Sequence, residues 1–302
     1  MIEKDDTIIR DFQVEDILDK FYVAVEVEVL NSDSIGKFCG SVLLSEDCWD
    51  KNKLIKDLRD EWNIEIPSED LTDEADDPIV TDINGCRVVI SKFPAPVPNE
   101  EAEINASNNY MWREAVEVTK SHKAHIVVAV LGDGEDIKER GLIYTEIVSA
   151  CSMQENAIGV FTSGVVFEPN YYIDSAQMIK EQALPIFNWI WFGLYQTDKG
   201  ISAYTYGMDV FGKYELEIID ADEIPGKLME FISSIVSYIL LTDADLQDGE
   251  TIGLSKKDKH KITLSRGIAL PEQDTLKITY EAETKNLGVG NRETIWTDYL
   301  NF

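Results

Sequence analysis

Residues His125–Leu131 are apolar at nearly every position. A strand without polar alternation is buried on both faces, in the centre of a sheet. This segment therefore anchors the reading of the chain. Other stretches have the opposite signature. In Tyr22–Leu30, Val23, Val25, Val27 and Val29 fall on one face and Ala24, Glu26 and Glu28 on the other, which is the pattern of a half-wet strand. Ile79–Ile83 and Arg87–Phe93 flank Asn84-Gly85, a pair suited to the two positive-φ positions of a type I′ hairpin turn. Thr197-Asp198-Lys199-Gly200 marks a second hairpin, between Ile186–Gln196 and Ile201–Val210.

Helical spacing appears over residues 4–20, over the stripe Leu54, Ile55, Leu58 and Trp62, and in the second half of Asn105–Lys120. It recurs at Asp136–Cys151, Tyr171–Ala183 and Pro225–Leu241. Gly40–Leu44 and Ala157–Phe167 read as strands, the latter with an irregularity at Ser163-Gly164, and short strands follow at 251–254, 261–264 and 275–280. The predicted class is α+β, with mixed or antiparallel sheets and helices on one face. From Gly40 to Leu131, and again from Ala157 to about Leu264, the order matches a split βαβ, ferredoxin-like unit. Two tandem units are the preferred arrangement and a single larger mixed sheet is the alternative. The division that follows is an acidic helix-and-strand extension (1–38), a first α+β unit (39–135), a connecting helix (136–156), a second unit (157–285) and a tail (286–302).

Charge narrows the partners. The 302 residues hold 57 acidic and 27 basic side chains, a net −30. Residues 1–80 carry 23 of the acids and 8 of the bases, and so half of the net charge. Such a field repels phosphate backbones and anionic membranes and speeds association with a basic protein. The expected partner is a basic protein, with no nucleic acid and no membrane, and the oligomeric state is left open. The start, Met1-Ile2-Glu3-Lys4-Asp5-Asp6, lacks the basic and apolar regions of a signal peptide. Cys39, Cys48, Cys86 and Cys151 form no CxxC pair. A reduced, cytoplasmic setting is the expectation.

Motifs of chemistry are sparse. No nucleophile elbow, phosphate loop or dinucleotide fingerprint occurs, and the acids of Pro67–Pro78 and Asp243–Glu250 miss the EF-hand register. No catalytic residue, metal ligand or cofactor is assigned. Two groups remain as candidates. His122 and His125, with Arg266, could line a pocket between the two halves. The third histidine, His260, lies in the basic run Lys256–Lys261, read as a solvated turn. Phe187, Trp189 and Trp191 would share a strand face, with Tyr204, Tyr206 and Met208 on the partner strand. Trp189, Trp191, Tyr204 and Tyr206 are the candidate partner-binding aromatics, with core packing as the competing use.

The runs Gly207–Ile218, Leu246–Gly253 and Arg266–Pro271 resemble the domain-of-unknown-function 4261 family. Ser121–His125 and Phe93–Pro98 look like its longer form, which extends the resemblance over roughly residues 40–280. The resemblance implies a bacterial origin and assigns no catalytic residue. The functional expectation is a non-enzymatic acidic binding module, of the kind that serves as an immunity protein against a basic toxin. The alternatives are an enzyme or small-ligand binder using a cleft between the halves, and a nucleic-acid mimic.

Overall fold

The computed structural model describes residues 35–280, apart from 73, 75, 133–135 and 256–257. The helix read at 4–20, the strand at 22–30 and the tail at 286–302 lie outside the described residues. Strands β1 (Phe38–Leu44), β2 (Ile79–Ile83), β3 (Cys86–Phe93), β4 (Ala124–Leu131), β5 (Ala157–Thr162) and β6 (Val165–Phe167) form one sheet, in the order β2-β3-β4-β1-β5-β6. Every pairing in it is antiparallel. Strands β7 (Trp191–Gln196), β8 (Ile201–Tyr206), β9 (Leu216–Ala221), β10 (Thr251–Ser255), β11 (Asp258–Arg266) and β12 (Asp274–Thr279) form the second, in the order β10-β11-β12-β9-β8-β7. Two three-stranded meanders meet there through the parallel pair β9–β12.

The α+β class holds, but neither sheet has the ferredoxin-like order. A split βαβ unit would seat β1 between β3 and β4, whereas β3 pairs directly with β4 and β1 lies beyond β4. Reading element types in order cannot distinguish these arrangements, because both obey the same local patterns. The segment 157–167, assigned from the sequence to the second unit, extends the first sheet instead. It is not one irregular strand but a hairpin, turning at Ser163 (φ 50°) and Gly164 (φ 66°).

Helices cover both faces of the first sheet, not one. Helix α1 (Lys51–Trp62) starts at Asp50, whose carboxylate accepts from Lys53 N at 2.8 Å. It buries Leu54, Leu58 and Trp62 in the same cluster as Val42 and Leu44 of β1. On the opposite face, Leu43 and Val166 pack with Ala102 and Ala106 of α2 (Glu101–Ala106) and Ala115 of α3 (Ala115–Thr119). Side chains alternate between the two clusters because successive strand residues point to opposite faces. The β4 run is therefore apolar beyond His125, and Ile126, Val128 and Val130 are fully buried.

Helix α4 (Ile137–Ser152) is more than a connector. It is buried around most of its circumference, from Arg140 and Gly141 to Cys151 and Ser152, as befits a helix in the middle of a core. It packs on β1, β4 and β5 and against α5 (Pro169–Ala176) and α6 (Ile186–Trp189). Gly141 makes this possible: a Cβ there would lie 2.9 Å from the Trp189 ring and 3.0 Å from Phe38. Trp189 Nε1 donates to Thr145 Oγ1 at 2.8 Å and Gly141 O at 3.1 Å. One continuous cluster of buried residues consequently runs from the first sheet through α4 into the second.

The second sheet is covered on one face by α7 (Pro225–Thr242), through Leu228, Phe231, Ile232, Ile235, Val236 and Ile239. His260 of β11 lies on this side, 3% exposed and edge-on to Phe231, so it is not part of a solvated turn. The acidic loop after α1 is tied down by two lysines. Lys51 Nζ donates to the carbonyls of Glu74 (3.2 Å) and Asp77 (3.1 Å), and Lys92 Nζ pairs with Asp47 (2.5 Å) and Asp76 (3.2 Å). Burial alone would lower the Lys92 pKa, yet these two carboxylates hold it above its ordinary value. All four cysteines are unpaired.

Candidate functional site

The histidines and Arg266 do not form a pocket. His122 is clamped by the backbone: Val97 N donates to its Nε2 at 2.8 Å, and its Nδ1 faces Thr119 O. In that pattern Nε2 is the acceptor and Nδ1 the donor. His125 sits on β4, stacked on Phe93 at 5.3 Å, and donates from Nδ1 to Ala95 O at 2.8 Å. Burial pushes its pKa down to about 4. Both rings anchor the proline-rich exit from β3. Arg266 belongs to β11 of the second sheet, opposite Asp274 and 4.0 Å from Glu272. Among the described residues, no group of three His, Cys, Asp or Glu side chains could hold a metal ion.

The aromatic candidates divide by burial. Residues 186–189 are helical, so Phe187 and Trp189 do not extend the β7 face. Pro185 and the packing of Trp189 against α4 override the strand pattern there. Trp189 (3% exposed) and Trp191 (2%) are core side chains and cannot touch a partner. Register places Trp191, Gly193 and Tyr195 opposite Tyr206, Tyr204 and Ser202. Tyr204 also faces Glu217 of β9, which faces Lys277 of β12. These residues form the face of the second sheet turned away from α7. Tyr204 is half-buried and Tyr206 is 42% exposed.

Sequence reasoning missed the segment that completes this surface. The loop after α2 runs across the junction of the two sheets. Asn108 Nδ2 donates to Gly164 O and Asn109 Nδ2 to Val166 O, both at 2.8 Å, while Asn109 Oδ1 accepts from Met111 N and Trp112 N. Tyr110 lies 5.3 Å from the Trp191 ring, and its hydroxyl donates to Phe192 O at 3.1 Å. Gly164, at the tip of the β5–β6 hairpin, packs on the Tyr206 ring so closely that a Cβ would come within 2.8 Å of it. Ile104, Tyr110, Met111 and Tyr206 are left exposed. Burial, with the charges of Asp209, Glu215 and Glu101, raises the Tyr206 pKa. The available signal was Asn108-Asn109-Tyr110-Met111-Trp112, a large-side-chain run introduced by two turn-forming asparagines.

Two buried carboxylates, Glu215 just before β9 and Glu217 within it, brace the surface. Glu215 accepts from Thr205 Oγ1 (2.6 Å), Gly207 N (2.7 Å) and Met208 N (2.8 Å), fixing the turn after Tyr206. Burial dominates and pushes its pKa up to about 7. Glu217 accepts from Ile268 N (2.9 Å), Ala269 N (2.7 Å), Thr275 Oγ1 (3.1 Å) and Lys277 Nζ (3.2 Å). Burial opposes its ionisation, but these donors outweigh it and its pKa is lowered. Both acids accept hydrogen bonds from backbone turns.

The architecture is that of an α+β protein with two six-stranded sheets around a shared core. A family model described as a domain of unknown function (DUF4261) matches residues 204–279, about a quarter of the chain. That segment starts within β8 and ends with β12, so it takes in Glu215, Glu217 and α7. The runs at 121–125 and 93–98 fall outside it, which narrows the resemblance read over 40–280. No curated protein and no solved structure matches the chain. Among the described residues, no helix is long and apolar enough to cross a membrane.

Proposed function

We propose that this protein is a non-enzymatic binding module that receives a basic protein on the surface formed by Ile104, Tyr110, Met111 and Tyr206. The observation that carries the reading is exposed aromatic and apolar side chains held on a rigid, hydrogen-bonded support. Tyrosines fixed over a packed base make strong interface anchors because little side-chain freedom is lost on binding. Glu100 and Glu101 stand exposed beside this surface, and the net charge of −30 favours a cationic partner. In a bacterial cell such a module suits an immunity protein that occludes a basic toxin. The cleft-enzyme alternative has less support: His122 and His125 hydrogen-bond the backbone of the exit from β3, and Arg266 lies on β11.

The test is affinity capture from the native host at low salt with mass spectrometry, comparing wild type with Tyr110→Ala/Tyr206→Ala. A basic protein should be retained by the wild type, released at about 1 M salt, where the screening length is about 3 Å, and lost in the double variant. Capture of nothing at low salt, or undiminished capture by the variant, overturns the reading.

A further inference from the structure

The loop that presents Tyr110 and Met111 turns its next residue, Trp112, to the other side, into an open cleft of about 580 Å³. Ile158 of β5 and Ile173 of α5 line the cleft beside the half-buried indole. Its charged residues are Glu155 and Glu168, both exposed. Among the described residues, no lysine, arginine or histidine lines it. The C-terminal end of α4 also opens here, at Ser152, Met153 and Gln154, and the last carbonyls of a long helix carry partial negative charge. One element opposes: the N-terminal end of α5, whose partial charge is positive. It begins at Pro169, which has no N–H to offer, and stands behind the Glu168 carboxylate. The balance is negative. The wall is also stiff, because Gln154 Oε1 accepts from Asp50 N at 2.6 Å and its Nε2 donates to Asp50 O at 3.1 Å.

We propose that this cleft receives an arginine side chain of the basic partner, its guanidinium stacked on Trp112 and paired with Glu155 and Glu168. Arginine fits each component. Its planar head stacks on indole and forks to carboxylates, and its methylene stem packs on isoleucine. The proposal rests on the reading of the protein as a binder of basic proteins, since the cleft and the Tyr110–Tyr206 surface share one loop.

The test uses the isolated full chain and the capped peptide acetyl-Gly-Arg-Gly-amide. The indole N–H resonance of Trp112, assigned with Trp112→Phe, is followed by NMR. A saturable shift with a Kd of about 1 to 10 mM is expected, the range that one stacked ring and two solvent-exposed carboxylates support. The citrulline peptide, isosteric but uncharged, should give no saturation. Glu155→Gln/Glu168→Gln should weaken the arginine peptide at least about fivefold, with resonances remote from the cleft unchanged as the check on folding. An unmoved Trp112 resonance, equal binding of the citrulline peptide, or full affinity in the double variant overturns the proposal. Failure of partner capture while the arginine peptide binds removes only the protein-binding reading and leaves a guanidinium site.

Discussion

The two sheets have six strands each and opposite exposures. In the first, helices lie on both faces, and β4 offers almost no wet position. In the second, α7 covers one face, and β11 alternates buried His260 and Ile262 with exposed Lys259, Lys261 and Thr263. The consequence is a division of labour. The first sheet and the second meet in the shared core through α4. Among the described residues, the face of the second sheet turned from α7 is partly open, with Tyr206 and Lys261 in solvent and Trp191 and Glu217 buried, and the exposed aromatics gather where that face meets the first sheet. The apolar strand also lacks any surface on which to select a partner, whereas β11 leaves every second residue from Lys259 to Thr263 available.

Substitutions matched across the sheets should expose this contrast. The largest effect belongs to Ile126→Ala in β4, where a fully buried side chain leaves a cavity between covered faces. It should cost about 3 kcal/mol in urea unfolding, whereas Lys261→Ala on the open face of β11 should stay within about 0.5 kcal/mol. Comparable losses for the two would break the distinction.

A second effect sharpens it at two acids two residues apart. Glu215, just before β9, is buried against the turn after Tyr206, whereas Glu217 lies on the face turned away from α7, and their pKa shifts have opposite signs. Glu215 is raised to about 7. Its contribution to stability is full below the ordinary carboxylate range, near pH 4.5, and is lost as pH rises through about 7. Glu217 is lowered, so its contribution is full above the ordinary range and is lost as the pH falls through its folded value. Denaturation across pH 3 to 8 should therefore show Glu215→Gln removing a decline of stability with rising pH. Glu217→Gln should remove a decline with falling pH. The same slope change in both variants would mean that the two environments do not differ.

The smallest effect on stability falls on the surface. Tyr206→Ala should cost less than about 1 kcal/mol, because its ring is 42% exposed. Trp191→Ala, on the same face but roofed by Tyr110, should cost about 3 kcal/mol or more. Thermal unfolding of the pair measures how completely the loop after α2 converts an open-face position into core.

Much of the local structure was legible. Asn84-Gly85 gave the β2–β3 turn because both residues tolerate positive φ. The stripe of Leu54, Leu58 and Trp62 gave α1, and the spacing from Leu228 to Leu240 gave α7. Failures came where tertiary contacts outweighed local pattern. Phe187 and Trp189 alternate like strand residues, but Trp189 is drawn onto α4 through Gly141 and Thr145. Helix α4 was read as amphipathic and is buried around most of its surface. The candidate surface was half visible: Tyr204 and Tyr206 were identified, while Tyr110 and Met111 lie roughly a hundred residues upstream in a loop whose position depends on Asn108 and Asn109 reaching the β5–β6 hairpin.

Side-chain period, turn stereochemistry and charge over a few neighbouring residues are enough to specify the α+β class, the β2–β3 and β7–β8 hairpins, the two longest helices and the acidic field. Long-range packing sets the pairing of β3 with β4, the place of β5 and β6 in the first sheet, and which aromatics stay in solvent. Those outcomes depend on contacts between distant segments, and a local pattern is satisfied equally well by every pairing that buries the same face.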